Sequence, residues 1–455
     1  MTQNAFLLRH PGKSPHVALT ALLVLSAILR ISYVWFLPGQ DGDRLHSDMG
    51  VYDQTGWAMA QAKPLPEESF GYHGYHPLSG STYYYAGYTY FVAAIYWIFG
   101  HLPLAVRITQ AIIATASVFL VYFLGRQVFD RQAGLWAALG MGLHLPQVYY
   151  AGLLLTETWF TFLQLLSFTL WLGSWNHAKS SSGPGLAVLS GITAGLACLN
   201  RAAFLPAIVI IAAGSWFLIS KSISRSRRFQ LISLFVISAI LIISPVTVRN
   251  FLIHKQFVLV STNGPSTFYV GHVQHTPYQP DNQISGRTDV EMAAWYRDQS
   301  LRYLRDNWTT YLSEIPEYFM HIWLSNDFWP NATTFYQSRE MRPGEPSSRV
   351  RLVIDDPGGP AFGHFFHFPD LVRYGDVILW GLIGLPLAGL SLFFIRHENS
   401  TRWMILVLGM VPYCIIPFLA PPFPRYRIPA VPILFVFSGY AIVKLIKLSR
   451  IQQNS

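Results

Sequence analysis

The sequence predicts an all-α protein that crosses a membrane about ten times. Three observations carry that expectation. Of 455 residues, 52% are hydrophobic and 12% charged. That is about half the charge of an ordinary soluble domain, too little polar surface to cover one of this length. Apolar runs that meet or approach the about 20 residues of a spanning helix recur along the chain. They lie at 16–37, 105–124, 133–153, 158–175, 185–200, 202–220, 229–248, 373–395, 402–419 and 428–446. Aromatic residues reach 15%, with 14 Trp and 24 Tyr, as suits a chain with many bilayer interfaces to line.

The first run follows a short basic leader containing Arg9 and Lys13. It is too long for a signal-peptide core and no small-residue cleavage site follows, so it is expected to be the first span. Residues 83–100 are decided by the positive-inside rule. If they lie along the interface, the N-terminus, Arg126/Arg131, Lys179, the Lys221/Arg225/Arg227/Arg228 cluster, Arg396/Arg402 and Lys447/Arg450 all share one side. If they span, the 221–228 cluster moves to the other side. The interfacial reading also suits the tyrosines at 83, 84, 85, 88, 90 and 96. Both termini are then cytoplasmic.

Two regions face the far side, 38–82 and 250–371. The second has alternating residues at 257–261, turn-rich sequence at 277–286 and a helical pattern over 288–327. Trp308, Tyr311, Ile315, Phe319 and Trp323 recur there at spacings of three and four, which predicts one apolar face resting on the membrane or the bundle. A small mixed outer segment is therefore expected. No tandem repeat or glycine-serine linker appears. The organisation expected is a transmembrane module over 1–249, an outer segment over 250–371 and closing transmembrane helices over 372–455.

The net charge of +9 fits Lys- and Arg-rich cytoplasmic loops beside an anionic leaflet, so no nucleic-acid partner is inferred. Two cysteines, Cys198 and Cys414, exclude a disulfide framework and a cysteine-ligated zinc. Ionisable residues are nearly absent from the helix centres, His144 excepted, and it reads as a packed core histidine. They gather instead at the outer ends of spans. Arg30 lies in the first run, Asp41, Asp43, Asp48 and Asp53 in the first outer region, and Glu157, Arg201, Arg249-Asn250 and Arg425/Arg427 at later junctions. Such convergence on one face describes a reaction centre, not a conduit. Arginine grips phosphate as a planar fork and keeps its charge when partly desolvated. A sugar phosphate is a competent leaving group once cations stabilise it. One carboxylate then suffices as base for an incoming hydroxyl, whereas a glycosidase needs two.

These residues resemble the GT-C glycosyltransferases, in particular the bacterial lipid-carrier-dependent enzymes related to protein O-mannosyltransferases and aminoarabinose transferases. The resemblance runs from Ile28-Leu-Arg-Ile31 and Ser47-Asp-Met-Gly-Val-Tyr52 through Ala86-Gly-Tyr-Thr-Tyr90 and Ile98-Phe-Gly100, which looks like the family's juxtamembrane helix. It continues with Leu124-Gly-Arg-Gln-Val-Phe129, Leu155-Thr-Glu-Thr158, Leu199-Asn-Arg201, Pro245-Val-Thr-Val-Arg-Asn250, Ser261-Thr-Asn-Gly264 and Arg425-Tyr-Arg-Ile-Pro429. None is specific alone; order and spacing together are. Two departures stand out. Tyr85-Ala86 occupies the place of two prolines, and Asp48 is followed by Met49 where relatives often carry Asp-Glu.

The resemblance implies a GT-C-like fold and an inverting sugar transfer from a polyprenyl phosphate to a hydroxyl acceptor at the outer face of a bacterial inner membrane. Asp48 maps to the catalytic aspartate, or merely caps a helix starting near Met49. Glu157 is a second acidic, acceptor-orienting residue or a helix-start carboxylate. Tyr52, Arg201, Arg249, Asn250, Arg425 and Arg427 are expected to bind donor phosphate or sugar. Arg30 either packs against first-loop carboxylates or reaches the donor phosphate, and His76 is a substrate contact or a turn before Pro77. Asp53 is expected to be a solvated surface residue. No cofactor or catalytic metal is assigned, although some family members use a divalent ion. The partners implied are the lipid-linked sugar, a glycan, lipid or protein acceptor, and the bilayer. Two other readings compete: a transporter or flippase of lipid-linked sugars, and a ligase or polymerase using a diphosphate carrier.

Overall fold

A computed structural model of the chain describes residues 15–37, 47–62, 82, 86–218, 223–273, 288–324, 375–395 and 402–454. The helices are α1 (Pro15–Trp35), α2 (Ser47–Ala60), α3 (Ala86–Phe99), α4 (Pro103–Val128), α5 (Arg131–Leu143), α6 (Leu145–Ala151), α7 (Thr156–Asn176) and α8 (Ser182–Asn200). There follow α9 (Leu205–Leu218), α10 (Arg225–His254), α11 (Asn263–His272), α12 (Asp289–Leu324), α13 (Val377–Ile395), α14 (Arg402–Leu419) and α15 (Val431–Asn454). Short 3₁₀ turns at Ala202–Phe204 and Pro424–Arg427 precede α9 and α15.

Local chemistry sets many of these boundaries. Asp130 caps α5 by accepting from the Ala133 N–H at 2.8 Å, and Ser224 caps α10 by accepting from Arg227 N at 3.3 Å. Thr288 and Glu291 form a reciprocal capping box at the start of α12. Thr288 N donates to Glu291 Oε2 at 2.8 Å and Glu291 N to Thr288 Oγ1 at 3.3 Å. Lys255, in the left-handed region at φ 53°, ends α10.

Seven described helices are long and apolar enough to cross a membrane: α1, α4, α8, α10, α13, α14 and α15. Counting the bent pair α6–α7 as one span makes eight. The expected count of about ten is not reached by this criterion, for two reasons. The run 133–153 is broken at His144, whose backbone is extended (φ −70°, ψ 102°), and Pro146 starts α6 afresh. Helix α6 then bends from α7 by 114°. Among the described residues the run 202–220 gives a shorter apolar stretch, Ala202–Leu218, of which α9 is 14 residues. At 14 residues, or about 21 Å, α3 is also too short to span.

No strand occurs among the described residues, so the mixed character expected of the outer segment is not found there. The segment 257–261 finds its backbone partners on α10 instead. Asn250 Nδ2 donates to Val258 O at 3.2 Å and Val260 O at 3.1 Å, and Thr247 Oγ1 to Leu259 O at 2.7 Å. The helix expected over 288–327 is α12, and its apolar stripe is partly buried against the bundle. Ile315 and Trp323 are buried with Tyr318 and Ile322, while Trp308 and Phe319 are exposed. The non-helical backbone at Asn307 and Pro316 within the helix disturb the straight 3.6-residue register.

The bundle is held by close helix approach more than by charge. Gly191 and Gly195 of α8 lie against the carbonyls of Phe235 and Ala239 on α10; an added Cβ would sit 2.2 and 2.8 Å from those oxygens. This is small-xxx-small packing, in which missing side chains let backbones touch. Gly439 of α15 sits likewise on Ala133 O, at 2.3 Å from an ideal Cβ. Gly191→Val is expected to lower stability by about 1–3 kcal/mol, since backbone cannot yield as a side-chain tip can. Thermal unfolding in detergent checks it, with Gly185→Val, which faces open space, as the tolerated control.

Far from the site described below, basic side chains tie the loops at the other end. Arg227 donates to Ala178 O and Ser180 O, each at 2.7 Å, Arg402 to Gln127 O at 3.2 Å, and Lys447 stands 3.7 Å from Asp130.

Candidate active site

Four short stretches meet at one end of the bundle: the first turn of α2, the turn between α6 and α7, the residue after α8, and the 3₁₀ turn before α15. Glutamines inside apolar runs hold two of them. On α4, Gln110 donates to Ala151 O at 3.1 Å and Leu153 O at 2.7 Å while accepting from Tyr88 OH at 2.7 Å. That fixes the α6–α7 turn. Gln147 on α6 and Gln164 on α7 donate to Ile428 O at 2.6 Å and Pro429 O at 2.9 Å. Those bonds fix the segment that follows Arg425. A buried amide so used satisfies turn carbonyls that would otherwise be orphaned.

Two arginine–carboxylate pairs result. Arg425 Nη1 lies 3.4 Å from Asp48 Oδ2, with the Asp48 side chain 35% exposed. Arg201 Nη2 donates to Glu157 Oε1 at 2.6 Å and its Nε to Thr156 Oγ1 at 3.0 Å, and this pair is largely buried. The Tyr426 ring joins them: the Arg425 guanidinium lies 5.7 Å and that of Arg201 6.0 Å from its centroid. Phe423 and Phe160 support the same two cations at 5.3 and 5.6 Å. Aromatic faces hold guanidinium groups by cation–π attraction without using their N–H donors. Burial alone would lower the Arg425 pKa, but Tyr426, Asp48, Glu157 and Tyr150 outweigh it and raise the group above its ordinary value. Arg425 therefore stays cationic. Glu157 Oε2 is buried and has no hydrogen-bond partner among the described residues.

Of the other residues singled out in the sequence, Tyr52 is buried and meets Tyr88 edge-on at 4.8 Å, beneath Asp48 on α2. Arg249 is half-buried beside Asn250, its Nη1 3.2 Å from Asn250 Oδ1. Several expectations are corrected. Arg30 is fully buried and donates to Met141 O and Gly142 O, each at 3.1 Å, and to Ser26, so its partners among the described residues are the end of α5 and its own helix rather than a first-loop carboxylate. Asn250 is buried, and its amide holds the segment after α10.

Arg427 is also fully buried. It pairs with Asp376, whose other oxygen is 2.9 Å from His144 Nε2, and donates to Ile322 O at 2.7 Å. His144 is thus packed as expected, but at a helix break and in a charged cluster. Asp53, expected on the surface, is buried: it accepts from Tyr96 OH and faces His101 Nε2 at 3.0 Å. His76 lies outside the described residues.

Tyr426, Asp376, Asp53's partner His101 and the three glutamines were not assigned roles from the sequence. The glutamines had a signal, being polar residues within apolar runs, which are costly in a bilayer unless partnered. Each of the two carboxylates described here, Asp48 and Glu157, has one oxygen facing a guanidinium. Among the described residues no group of three or more His, Cys, Asp or Glu side chains is placed to hold a metal.

Residues 86–248 match the family described as dolichyl-phosphate-mannose-protein mannosyltransferase. No curated protein sequence matches the chain. Among solved structures, the apo oligosaccharyltransferase of Archaeoglobus fulgidus superposes with a TM-score of 0.56 at 16% identity, over 98% of this chain and 52% of that one. The same archaeal enzyme in complex with an inhibitory peptide and a dolichol-phosphate gives 0.56 at 15% identity, over 97% and 51%. The chain thus spans about half the length of these solved relatives. ArnT from Cupriavidus metallidurans gives 0.43 at 12% identity, over 94% and 77%. The likeness to the archaeal oligosaccharyltransferase shows a shared fold and no more, over about half of that protein's length.

Proposed function

We propose that this chain is a membrane glycosyltransferase of the GT-C type that moves a sugar from a polyprenyl-phosphate donor to a hydroxyl acceptor, with inversion. The observation that carries the reading is the pairing of a half-exposed carboxylate, Asp48, with Arg425, which shares the Tyr426 ring with Arg201. Both arginines are seated on aromatic rings, which hold their faces and leave phosphate to be met by the planar N–H fork of the guanidinium. Asp48 removes the proton from the acceptor hydroxyl, whose oxygen attacks the anomeric carbon opposite the phosphate. A carbon–oxygen bond to the acceptor forms and the bond to the phosphate oxygen breaks, its electron pair leaving with the lipid phosphate. The proton ends on Asp48, and the charge developing on the phosphate is held by Arg425 and Arg201. Glu157 keeps Arg201 aimed at the pocket, and its second oxygen orients a substrate hydroxyl.

Under the positive-inside rule, the end carrying Arg126, Arg131, Lys179, Arg225, Arg227, Arg228, Arg402, Lys447 and Arg450 faces the cytoplasm. The pocket then opens outward, on the periplasmic face of a bacterial inner membrane, with both termini inside.

Purified protein in lipid, offered a panel of labelled polyprenyl-phosphate sugars with crude cell-envelope acceptors, tests the assignment through release of free lipid phosphate. Turnover on a diphosphate-linked glycan alone would instead mark a ligase or polymerase, and lipid translocation without release would mark a flippase. Arg425→Lys is expected to lower transfer by about 10–100-fold, because a point charge cannot replace the fork. Equal rates for Arg425→Lys and wild type would remove Arg425 from the phosphate cradle.

A further inference from the structure

The proposed base stands on a short helix, and what holds that helix is visible at its other end. Helix α2 packs on α3. Gly56 approaches Val92 so closely that an added Cβ would be 2.5 Å from Val92 Cγ1, and Tyr52 meets Tyr88 edge-on. The remaining anchor comes from outside α3. Asp53 and Trp57 are four residues apart, so they share one face of α2. Together they seat His101. Its Nε2 is 3.0 Å from Asp53 Oδ2, and its ring stacks on the Trp57 indole with centroids 5.1 Å apart and planes 11° from parallel. Tyr96 closes the seat, edge-on to His101 at 5.1 Å and donating its hydroxyl to Asp53.

His101 reaches this position because Gly100 turns the chain. Gly100 has φ +77° and its N–H bonds Tyr96 O at 2.9 Å, ending α3. A left-handed residue at that point is inexpensive only for glycine. The imidazole thus binds two α2 side chains from the junction of α3 and α4, while remaining 35% exposed. Asp48, five positions earlier on the same helix, lies beyond direct contact with it. A geometric error of about 1 Å at a reacting group can cost 10²-fold in rate, so the anchorage of α2 bears on the chemistry.

We propose that His101 is a positioning residue for the transfer reaction: seated on the Asp53–Trp57 face of α2, it locks the helix that presents Asp48 to the pocket. The proposal rests on the reading of Asp48 as the base. The test uses the full chain in lipid with the donor that the panel above identifies. It compares wild type, His101→Ala, His101→Gln and Asp48→Asn in kcat, donor KM and hydrogen–deuterium exchange of the peptide 47–60.

The alanine variant is expected to lose about tenfold in kcat with donor KM unchanged, and to exchange faster over 47–60. The glutamine variant keeps an N–H for Asp53 and a flat amide for Trp57, and is expected to recover most of both losses. Unchanged exchange in His101→Ala would overturn the lock. Faster exchange with wild-type kcat would overturn its link to turnover. Equal loss in the alanine and glutamine variants would reduce His101 to a generally structural residue. Wild-type activity in Asp48→Asn would sink the base assignment separately, leaving exchange alone to decide whether α2 is locked.

Discussion

Asp48→Asn is expected to lower sugar transfer by about 10²–10⁴-fold, the usual worth of a positioned general base, with binding of the lipid-phosphate donor kept within a few-fold. The substitution is nearly isosteric, and Asp48 is half-exposed with Arg425 as its described partner, so the fold has little reason to respond. Removing this carboxylate takes a negative charge from beside Arg425. Donor phosphate, itself anionic, should therefore bind no more weakly and could gain slightly. Loss of kcat with preserved donor affinity is the signature of a group needed in the transition state but not in the ground state. Donor affinity is read by equilibrium binding of labelled lipid phosphate, turnover by release of free lipid phosphate. A variant that retains wild-type turnover rules Asp48 out as base. A variant that loses donor binding as steeply as turnover makes Asp48 a binding residue instead.

The largest effect on stability is expected at Asp376→Ala. Asp376 lies fully enclosed between Arg427 and His144, and Arg427 itself is 0% exposed on its side chain. Deleting the carboxylate leaves a fully buried guanidinium without its counter-charge, and breaking a buried pair costs about 3–5 kcal/mol. Thermal unfolding in detergent should register that loss, or the variant should fail to accumulate. The double change Asp376→Leu with Arg427→Met removes both charges together. It should cost clearly less than the sum of the two single changes, because replacing a buried pair by apolar side chains is often neutral. If the single and double changes behave alike, the pair does not hold α13 to the turn before α15. Arg425 belongs to that same turn, so the cluster also fixes the arginine that faces Asp48.

The convergence of charge at one end of the bundle was legible from the chain. Asp48, Glu157, Arg201 and Arg425 were singled out from four distant segments, and they meet in two ion pairs around one tyrosine ring. What the chain alone does not tell is which arginines meet these carboxylates. Arg30, Arg425 and Arg427 all stand near span ends in sequence, and a linear reading treats them alike. Two steps along a tight 3₁₀ turn, at about 120° each, leave Arg425 facing Asp48 and turn Arg427 about 120° away from it, into the protein with Asp376. Arg30 is drawn inward because the last carbonyls of α5 need donors where the helix breaks. Asp53 was misjudged for a related reason. Aspartate is usually solvated, and the partners that bury it, Tyr96 and His101, lie more than 40 positions later.

The sequence by itself determined the class of molecule, because composition and apolar run length answer to the bilayer and need no knowledge of contacts. The positive-inside asymmetry and the placing of charge at span ends follow from the same solvent, which excludes unpaired charge at its centre. Helix starts were also local matters, settled by Asp130, Ser224 and the Thr288–Glu291 box. Only the tertiary structure decided how the run 133–153 breaks, that 257–261 gives its hydrogen bonds to α10, and which charged residue pairs with which. Those outcomes depend on donors and acceptors brought together across hundreds of residues, such as Gln147 with Ile428 and His144 with Asp376. A buried polar group must find a partner, but the partner's identity is a property of the packed fold and not of the residues beside it in the chain.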